Sequence, residues 1–443
     1  MSKNTIIKGT LILTIAGVLT KLLGFYNRIF LTRVIGVKEL GVYQLIFPIY
    51  ILAISLSTQG ISTAITKHVS YYLGKRHQGN AKKIFKFGLG ISLSFSIIIM
   101  TIIYCLSDSI SIIILKNSDC GILLRIVSIA LPFVAVKNCI NAYFIGTDNP
   151  KIQGISHFFE QLIRVITAYV LTYCLTLKNL DATMATISVV SGEVFSGILS
   201  ICLIYNSRKK DTQNSMEKLS NTSVKRFLAD AIPITSNNLI FTLFASLESI
   251  IFPAMLYKYY FNQDTAMELY GIITGIVIPF LLFPATITTS LSTILLPAIS
   301  KATAAENYNK IKSAIFLCVS FCIILGVVAF LGYTFLGEWA CEFAFKSKDA
   351  GVILRKMCFL CPFIYINGVL STILNGIDKA FNNMLINVFG LIIRIAFVSL
   401  LVPNYGFDAY ILGMFISYLC MLILMSVTIR CTLLKENKNH ITN

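Results

Sequence analysis

Long apolar stretches alternate with short polar breaks along almost the whole chain. A helix needs about 20 residues to cross the roughly 30 Å of bilayer hydrocarbon. The pattern predicts twelve such spans, at residues 6–30, 41–66, 84–106, 121–145, 152–177, 183–205, 227–257, 268–297, 312–336, 352–376, 381–402 and 407–430. The strands of a membrane barrel would alternate in polarity and be about half as long. The prediction is therefore an all-α polytopic membrane protein.

The composition agrees with this class, and the positions of the basic residues explain the high positive charge. The 443 residues are 56% hydrophobic and 13% charged, and the formal net charge is +17. The cations concentrate in alternate loops, for example Lys75, Arg76, Lys82, Lys83 and Lys86, then Arg208, Lys209 and Lys210. This positive-inside bias predicts the cytoplasmic membrane as location, with both termini in the cytoplasm. Topology accounts for the charge, so nucleic-acid binding is not expected.

Cysteine and carboxylate patterns favour no catalytic or metal chemistry. Most of the twelve cysteines lie in apolar spans, where Cys behaves as a small hydrophobe. Cys358 and Cys361 form a C-x-x-C motif, but no histidine is near them in sequence. No D-x-D or DDxxD pattern occurs, so a prenyl-phosphate enzyme or glycosyltransferase is not expected.

The second half of the chain repeats the first half at a constant offset. Sliding the sequence by 230 residues aligns LRIVSIALPF (124–133) with LRKMCFLCPF (354–363) without a gap. The same offset pairs Arg125 with Arg355, Pro132 with Pro362, Gly146 with Gly376, Asp148 with Asp378 and Arg164 with Arg394. One register held over five spans indicates duplication of a six-helix unit. The halves are predicted to be parallel, pseudo-symmetric lobes.

The predicted domains are an N-terminal six-helix lobe at 1–206, a cytoplasmic linker at 207–226 and a C-terminal six-helix lobe at 227–443 with a short cytoplasmic tail. The linker is polar and charged, and its apolar residues follow no helical or strand periodicity. Parallel repeats about an axis normal to the membrane are typical of alternating-access transporters. A duplicated scaffold without transport is the alternative.

Several charged residues fall deep within the predicted spans. An ion facing lipid costs roughly 3 kcal/mol or more, so these residues must face a wet cavity or one another. They are Lys21, Arg28, Lys137, Glu160, Arg164, Glu193, Glu248 and Arg394. Most of the cations belong to the N-terminal half, so its inner wall is predicted to be electropositive and suited to a phosphate-bearing substrate.

For most of these residues, a purely structural role is an alternative to a role in transport. Glu160 and Arg164 are four residues apart on one helix face and could neutralise each other. Glu193 and Glu248 are candidates for binding a coupling Na⁺ or H⁺, as are Glu160 and Arg164, or they form interhelical hydrogen bonds. Arg28 could extend to the outer interface, as long cationic side chains near helix ends do.

Five motifs resemble the multidrug/oligosaccharidyl-lipid/polysaccharide (MOP) flippase superfamily, within it the stage V sporulation protein B branch, which is similar to the lipid II flippases. They are TLILTIAGVLTKLLGFYNRIFLTRVIG (10–36), GVYQLIFPIY (41–50), STQGISTAITKHVSYYLGKR (57–76), TTSLSTILLPAIS (288–300) and the repeated LR-to-PF segment. The resemblance spans nearly the whole chain. It implies a MATE-like, V-shaped arrangement of two lobes.

The resemblance also implies substrate-binding residues in the first two spans. Lys21 matches the basic residue before the Leu-Gly-Phe of the first helix in the lipid II flippases. Their next helix-one arginine would fall at Asn27, so that cation is missing here or displaced to Arg28. Gln59 replaces an acidic residue of the second helix, and Lys67 matches a basic position of the sporulation branch.

The expected function is a flippase for an undecaprenyl-pyrophosphate-linked oligosaccharide, such as a peptidoglycan or spore-cortex precursor. Lys21, Arg28, Lys67, Lys137, Gln59 and Asn27 are the predicted substrate-binding residues. No bond is made or broken and no cofactor is needed, apart from Na⁺ or H⁺ coupling. The expected partners are membrane lipids and cell-wall synthesis enzymes, and the chain is expected to be a monomer. The alternative is a cation-coupled multidrug exporter of the same fold.

Overall fold

The structure is a computed structural model that describes residues 3–75, 77–173, 181–208, 221–304 and 308–442. Nearly all of these residues are helical, and no strand occurs among them. They divide into two compact units, Met1–Ser246 and Leu247–Asn443. Most of the predicted linker, at 209–220, lies outside the described residues, so the domain limits drawn from the sequence stay a prediction.

The first unit contains eight helices and the first part of a ninth. Their bounds are α1 (Lys3–Leu45), α2 (Phe47–Ile54), α3 (Gly60–Gly74), α4 (Gln78–Ser109), α5 (Cys120–Ser128), α6 (Leu131–Gly146), α7 (Lys151–Tyr173), α8 (Ala182–Arg208) and α9 (Asn221–Tyr260). Two π-helical turns, Ser55–Gln59 and Ile110–Ile114, interrupt this series. A π turn leaves an α-helical ladder locally out of register and is frequent at functional sites.

The second unit continues from α9 through nine further helices. Their bounds are α10 (Gln263–Gly271), α11 (Ile278–Leu282), α12 (Ala285–Ala304), α13 (Tyr308–Phe345), α14 (Lys348–Met357), α15 (Cys361–Gly376), α16 (Ala380–Leu400), α17 (Val402–Tyr405) and α18 (Phe407–Thr442). A π-helical turn at Ile272–Val277 joins α10 to α11.

Each of the twelve predicted spans is mostly helical in the described part of the chain, with short breaks, among them Ile46, residues 129–130 and residues 283–284. Nine helical stretches in that part are long and apolar enough to cross a membrane, or ten if the bent pair α5 and α6 is one span. The stretch Gly17–Gly74 contains residues 17–30 of the first predicted span and all of the second, and the segment between them is helical. They separate at Gly36, whose φ of 81° and ψ of 170° break the helix in a conformation that glycine adopts easily. The polar helix α7 is the fifth predicted span.

The sequence repeat recurs as a repeat of local structure. Helices α6 and α15 begin and end at positions with the 230-residue offset, and each begins with proline in its first turn. Lys116 and Lys346 both adopt positive φ, at 53° and 54°, as do Asp148 and Asp378, at 58° and 61°. These strained positions are equivalent in the two units, which confirms the pseudo-symmetric duplication.

Glycines at equivalent positions let equivalent helices pack closely. A Cβ atom at Gly146 of α6 would lie 2.9 Å from the side chain of Val69 on α3. At the matching Gly376 of α15, it would lie 2.7 Å from the side chain of Ile299 on α12. Small residues at such contacts are the usual means by which membrane helices approach each other.

The beginning of α9 belongs to the core of the first unit. Phe227 and Ala231 are buried in a cluster with Ile65 and Val69 of α3 and Phe85 of α4. This packing fixes the first turns of α9 beside α3, and so determines which α9 side chains can reach the polar residues of α3.

Candidate functional site

Four charged side chains meet inside the first unit on three neighbouring helices. Lys137 of α6 donates hydrogen bonds to Glu193 of α8 and to Glu160 of α7, the latter with 2.9 Å between Nζ and Oε2. Arg164, one turn after Glu160, donates to Glu160 Oε1 at 3.0 Å and lies 3.6 Å from Glu193 Oε1. We call these four residues the α6–α8 network. Each of its charges has an opposite partner.

Small side chains bring α7 and α8 close enough to form this network. A Cβ atom at Gly192 of α8 would lie 2.7 Å from the carbonyl oxygen of Glu160, so the approach requires glycine. Farther along, the hydroxyls of Ser156 and Ser200 are 3.2 Å apart. The resulting tight contact keeps lipid and most water away from the charges.

The α6–α8 network is neutral and almost closed to solvent. Lys137 is 3% exposed and Glu193 is 6% exposed. Removing one partner of such a buried group would leave an uncompensated charge, which costs about 3–5 kcal/mol. Lys137 is one of the predicted substrate-binding residues, but its ammonium group already has two carboxylate partners. The geometry favours mutual neutralisation, the role that the sequence left open for Glu160 and Arg164.

A polar cavity of about 430 Å³ lies beside this network in the first unit. Its lining residues come from α3, α6 and α7 and are Ser62, Thr63, Thr66, Lys67, Asn138, Asn141, Ala142, Ile145, Gln153 and His157. We call it the α3–α6–α7 cavity. His157 connects it to the network, since its Nδ1 lies 3.2 Å from Glu160 Oε2. The described lining residues supply amides, hydroxyls, an imidazole and one ammonium group, and none of them is a carboxylate.

Asn141 is the most unusual lining residue, because its polar atoms have no partner. The residue is 3% exposed, and neither its amide nitrogen nor its amide oxygen has a hydrogen-bond partner among the described residues. A buried amide without partners costs about 1–3 kcal/mol. Such a cost is typical of a site that a ligand or water completes. Asn138, one turn earlier on α6, presents a second amide to the same cavity.

Lys67 lies at the edge of this cavity and is held by a carboxylate from α9. Its Nζ donates to Asp230 Oδ1 at 2.7 Å, and Nε2 of the adjacent His68 lies 2.8 Å from Asp230 Oδ2. The Lys67 side chain is 61% exposed, whereas that of His68 is 9% exposed. An exposed ion pair of this kind contributes only about 0–1 kcal/mol, so an anionic ligand can replace the carboxylate at little cost.

The other predicted substrate-binding residues lie outside the cavity lining. On α1, Lys21 is exposed, and Arg28 is half-buried within electrostatic reach of Tyr43 and Arg164. Asn27 is 5% exposed, and its Oδ1 has no hydrogen-bond partner in the described structure. Gln59 ends a π-helical turn, and its carbonyl oxygen accepts hydrogen bonds from the hydroxyls of the next turn.

The second unit has a buried ion pair at the position that corresponds to Arg164. Arg394 of α16, the repeat equivalent of Arg164, lies 3.1 Å from Glu248 of α9. The ring of Tyr418 is 5.7 Å from the guanidinium carbon. Asn367 stands at the repeat position of Lys137 and donates to the carbonyl oxygen of Tyr418 at 2.9 Å. Glu248 is therefore neutralised by Arg394.

Sequence reasoning missed Asp230, His157 and the amides of α6. His157 precedes Glu160 by three residues, a spacing that places both on one helix face, so the i, i+3 pattern was a usable signal. Asn138 and Asn141 also have this spacing. The contact of Asp230 with Lys67 joins residues 163 positions apart and has no local signal.

Comparison with known proteins places the chain among membrane proteins, as its long apolar helices do. A family model described as polysaccharide biosynthesis protein matches residues 6–303, more than half of the chain. Stage V sporulation protein B of Bacillus subtilis (strain 168) is 25% identical over 413 residues, which cover 92% of this chain and 80% of that protein. Lipid II flippase MurJ of the same organism is 22% identical over 449 residues, covering 95% and 81%.

A solved structure has the same fold. An inward-facing multidrug resistance MATE family transporter of the MOP superfamily matches with a TM-score of 0.75 at 12% identity, over 95% of this chain and 96% of that one. This likeness concerns the fold alone. Together with the long apolar helices and the duplicated local structure, the family match leads to one conclusion: the chain is a multi-pass membrane protein and belongs to the polysaccharide biosynthesis protein family.

Proposed function

We propose that the chain moves an undecaprenyl-pyrophosphate-linked oligosaccharide from the inner to the outer leaflet of the cytoplasmic membrane by alternating access. The observation that carries this proposal is the α3–α6–α7 cavity, in which the exposed ammonium group of Lys67 lies near the unpartnered amide of Asn141. A lipid-linked glycan combines an anionic phosphate with many hydroxyl and amide groups. The cavity offers complementary groups for both parts.

The pyrophosphate binds first at Lys67 in this mechanism. The ligand oxygens replace Asp230, whose exposed pairing with Lys67 is weak. Release of Asp230 removes one link between α3 and α9, which couples headgroup binding to movement of α9. Lys21 and Arg28 of α1 add positive charge in the same unit, as the resemblance to lipid II flippases implies.

The glycan is recognised by hydrogen bonds in the cavity. Asn141 and Asn138 each offer a donor and an acceptor, and Gln153 adds a third amide. A site built to hydrogen-bond a polar ligand rejects analogues that lack the matching group, because its own buried groups are then left unpaired. Specificity for the sugar is therefore assigned to α6 and α7.

The cycle needs no covalent chemistry. The prenyl tail remains in lipid while the headgroup crosses, so no bond is made or broken and no cofactor takes part. Both termini lie in the cytoplasm, following the distribution of cations in the loops. For Na⁺ or H⁺ coupling, the α6–α8 network is the candidate that adjoins the cavity, through His157 and Glu160.

The proposal is tested with vesicles that contain the purified protein and a fluorescent undecaprenyl-pyrophosphate-linked disaccharide. Leaflet-selective quenching reports how fast the probe changes leaflet. Lys67→Gln and Asn141→Leu should each lower the rate at least tenfold. Lys348→Gln is the matched control, because that exposed lysine lies in the second unit and should leave the rate unchanged. Wild-type vesicles that do not move the probe faster than empty vesicles would rule out flipping of this lipid.

A multidrug exporter of the same fold is the second candidate, favoured by the likeness to a multidrug MATE transporter. Cation-coupled exporters need carboxylates that are available to the coupling ion. Here Glu160 and Glu193 are each bonded to Lys137, so a coupling ion would have to displace Lys137 from them in either candidate function. Drug-resistance assays on an overexpressing strain separate the two candidates, since an exporter raises resistance to cationic drugs and a glycolipid flippase does not.

A further inference from the structure

A second cavity, of about 740 Å³, lies in the second unit and differs in character from the first. It is a groove between α13, α15 and α18. Its lining residues are Lys312, Ile315, Phe316, Val319, Ser320, Ile323, Ile366, Leu370, Leu422, Ser426, Ile429, Arg430 and Leu433. The walls are almost entirely aliphatic or aromatic, apart from two serines and two cations. We call it the α13–α18 groove.

Both cations of the groove lie at the same membrane face. Lys312 is in the first turns of α13, the ninth span, and Arg430 is near the end of the described side chains of α18, the twelfth span. The chain crosses the membrane four times between Lys312 and Arg430, in spans nine to twelve, so the two residues share a side. The loop charges assign that side to the cytoplasm.

The apolar part of the groove has the depth of one leaflet. Lys312, Phe316, Ser320 and Ile323 lie on one face of α13 and trace the groove along the helix. From Lys312 to Ile323 the helix rises about 16 Å at 1.5 Å per residue. Half of the hydrocarbon thickness of a bilayer is about 15 Å. A lipid chain that begins at the cytoplasmic face would therefore end where the groove ends.

The two cations have no carboxylate neighbour among the described residues. Among the described residues, no acidic side chain lines the groove and neither Lys312 nor Arg430 forms an ion pair. Basic pockets between membrane helices on the cytoplasmic side are a recurrent site for anionic lipid headgroups. Ser426 lies one turn from Arg430 toward the membrane interior, about 6 Å deeper. That is the depth of an ester carbonyl below a phosphate.

We infer that the α13–α18 groove binds an anionic glycerophospholipid of the inner leaflet. The phosphate lies between Lys312 and Arg430, an ester carbonyl accepts a hydrogen bond from Ser426, and one acyl chain occupies the aliphatic walls. A prenyl-linked glycan fits less well, because this lining has no amide and only two hydroxyls. The site does not depend on the proposed flipping activity. It makes the cytoplasmic end of the second unit sensitive to the lipid composition of the membrane.

The experiment measures lipid binding to the purified full chain in a neutral detergent. Phosphatidylglycerol is titrated against phosphatidylcholine with the same acyl chains, and bound lipid is counted by native mass spectrometry. The wild-type chain should retain one phosphatidylglycerol. Lys312→Gln/Arg430→Gln should weaken that binding at least tenfold. Lys258→Gln/Lys348→Gln removes the same charge from exposed positions elsewhere in the second unit and should leave binding unchanged.

A third variant separates the groove from simple surface attraction. Ile323→Trp fills the far end of the groove at an exposed position, so the fold tolerates it, and leaves both cations intact. It should weaken phosphatidylglycerol binding several-fold. Undiminished binding by this variant, equal retention of phosphatidylcholine by the wild-type chain, or an equal loss in the Lys258/Lys348 control would each overturn the inference. Thermal unfolding of every variant checks that the fold is intact.

Discussion

The two units share a scaffold but differ in the charges inside it. Equivalent positions carry the same positive-φ residues, the same tight glycine contacts and the same exposed ion pair, Arg125 with Asp108 and Arg355 with Glu338. The interiors differ. Arg164 belongs to a network of four charges beside a polar cavity, whereas its equivalent Arg394 has a single carboxylate partner, Glu248.

This difference indicates which features the duplication kept and which changed afterwards. Helix ends, turns and close contacts hold each unit together, so both copies need them. Recognition of one substrate requires a single polar site, and only one copy has to supply it. The first unit supplies the polar cavity, while the large groove of the second unit is apolar.

The largest expected effect comes from removing the buried ammonium of the first unit. Lys137→Met leaves two buried carboxylates with one arginine and should lower the free energy of unfolding by about 3–5 kcal/mol. At the equivalent position, Asn367→Met removes one hydrogen bond and should cost about 1 kcal/mol. Thermal unfolding in detergent measures both values.

A second substitution shows whether unbalanced charge causes the loss of stability in Lys137→Met. Adding Glu193→Gln to Lys137→Met removes the excess carboxylate, so part of the stability should return. Equal losses for Lys137→Met and Asn367→Met would mean that the two interiors are energetically alike.

The second-largest effect on the free energy of unfolding should be the same in both units. Gly146→Val and Gly376→Val each place a branched side chain against a neighbouring helix, where a single Cβ atom would already lie within 3 Å of another side chain. Overpacking of this kind costs about 1–3 kcal/mol. Losses of unfolding free energy that agree within about 0.5 kcal/mol would support a shared scaffold, and a clear inequality would contradict it.

The smallest effect concerns the exposed ion pairs. Asp108→Asn breaks the pair with Arg125, and Glu338→Gln breaks the equivalent pair with Arg355. Exposed pairs contribute about 0–1 kcal/mol, so both variants should unfold almost as the wild-type chain does. A loss of more than about 2 kcal/mol of unfolding free energy in one unit alone would show that the ion pair has a separate role in that unit.

The fold could be predicted from the sequence because its signals are local or repeated. The length of the apolar stretches identifies the membrane-spanning helical regions, and the LR-to-PF segment fixes the register between the halves. Pro132 and Pro362 mark the beginnings of α6 and α15. The break at Gly36 falls in the predicted interval between the first two spans, whereas the π turn at Ser55–Gln59 lies inside the second span and was not predicted.

The site could be predicted only in part. Glu160 and Arg164 are one helical turn apart, so their pairing follows from spacing. Lys137 bonds to Glu160 and to Glu193, which are 23 and 56 residues away in sequence, so only tertiary packing brings these groups together. Lys67 was predicted from the family resemblance. Its partner Asp230 could not be predicted, because the contact depends on the packing of α9 beside α3. Asn141 carries no charge, and so gave no signal of its burial.

The central claim is that the polar cavity of the first unit recognises the headgroup of a lipid-linked glycan, and it is tested most directly by a matched pair of flipping rates. Vesicles with Lys67→Gln or Lys348→Gln protein are compared for movement of a fluorescent pyrophosphate-linked disaccharide lipid. The account predicts at least a tenfold slower rate for Lys67→Gln and a wild-type rate for Lys348→Gln, with both proteins folded. Equal rates for the two variants would contradict it.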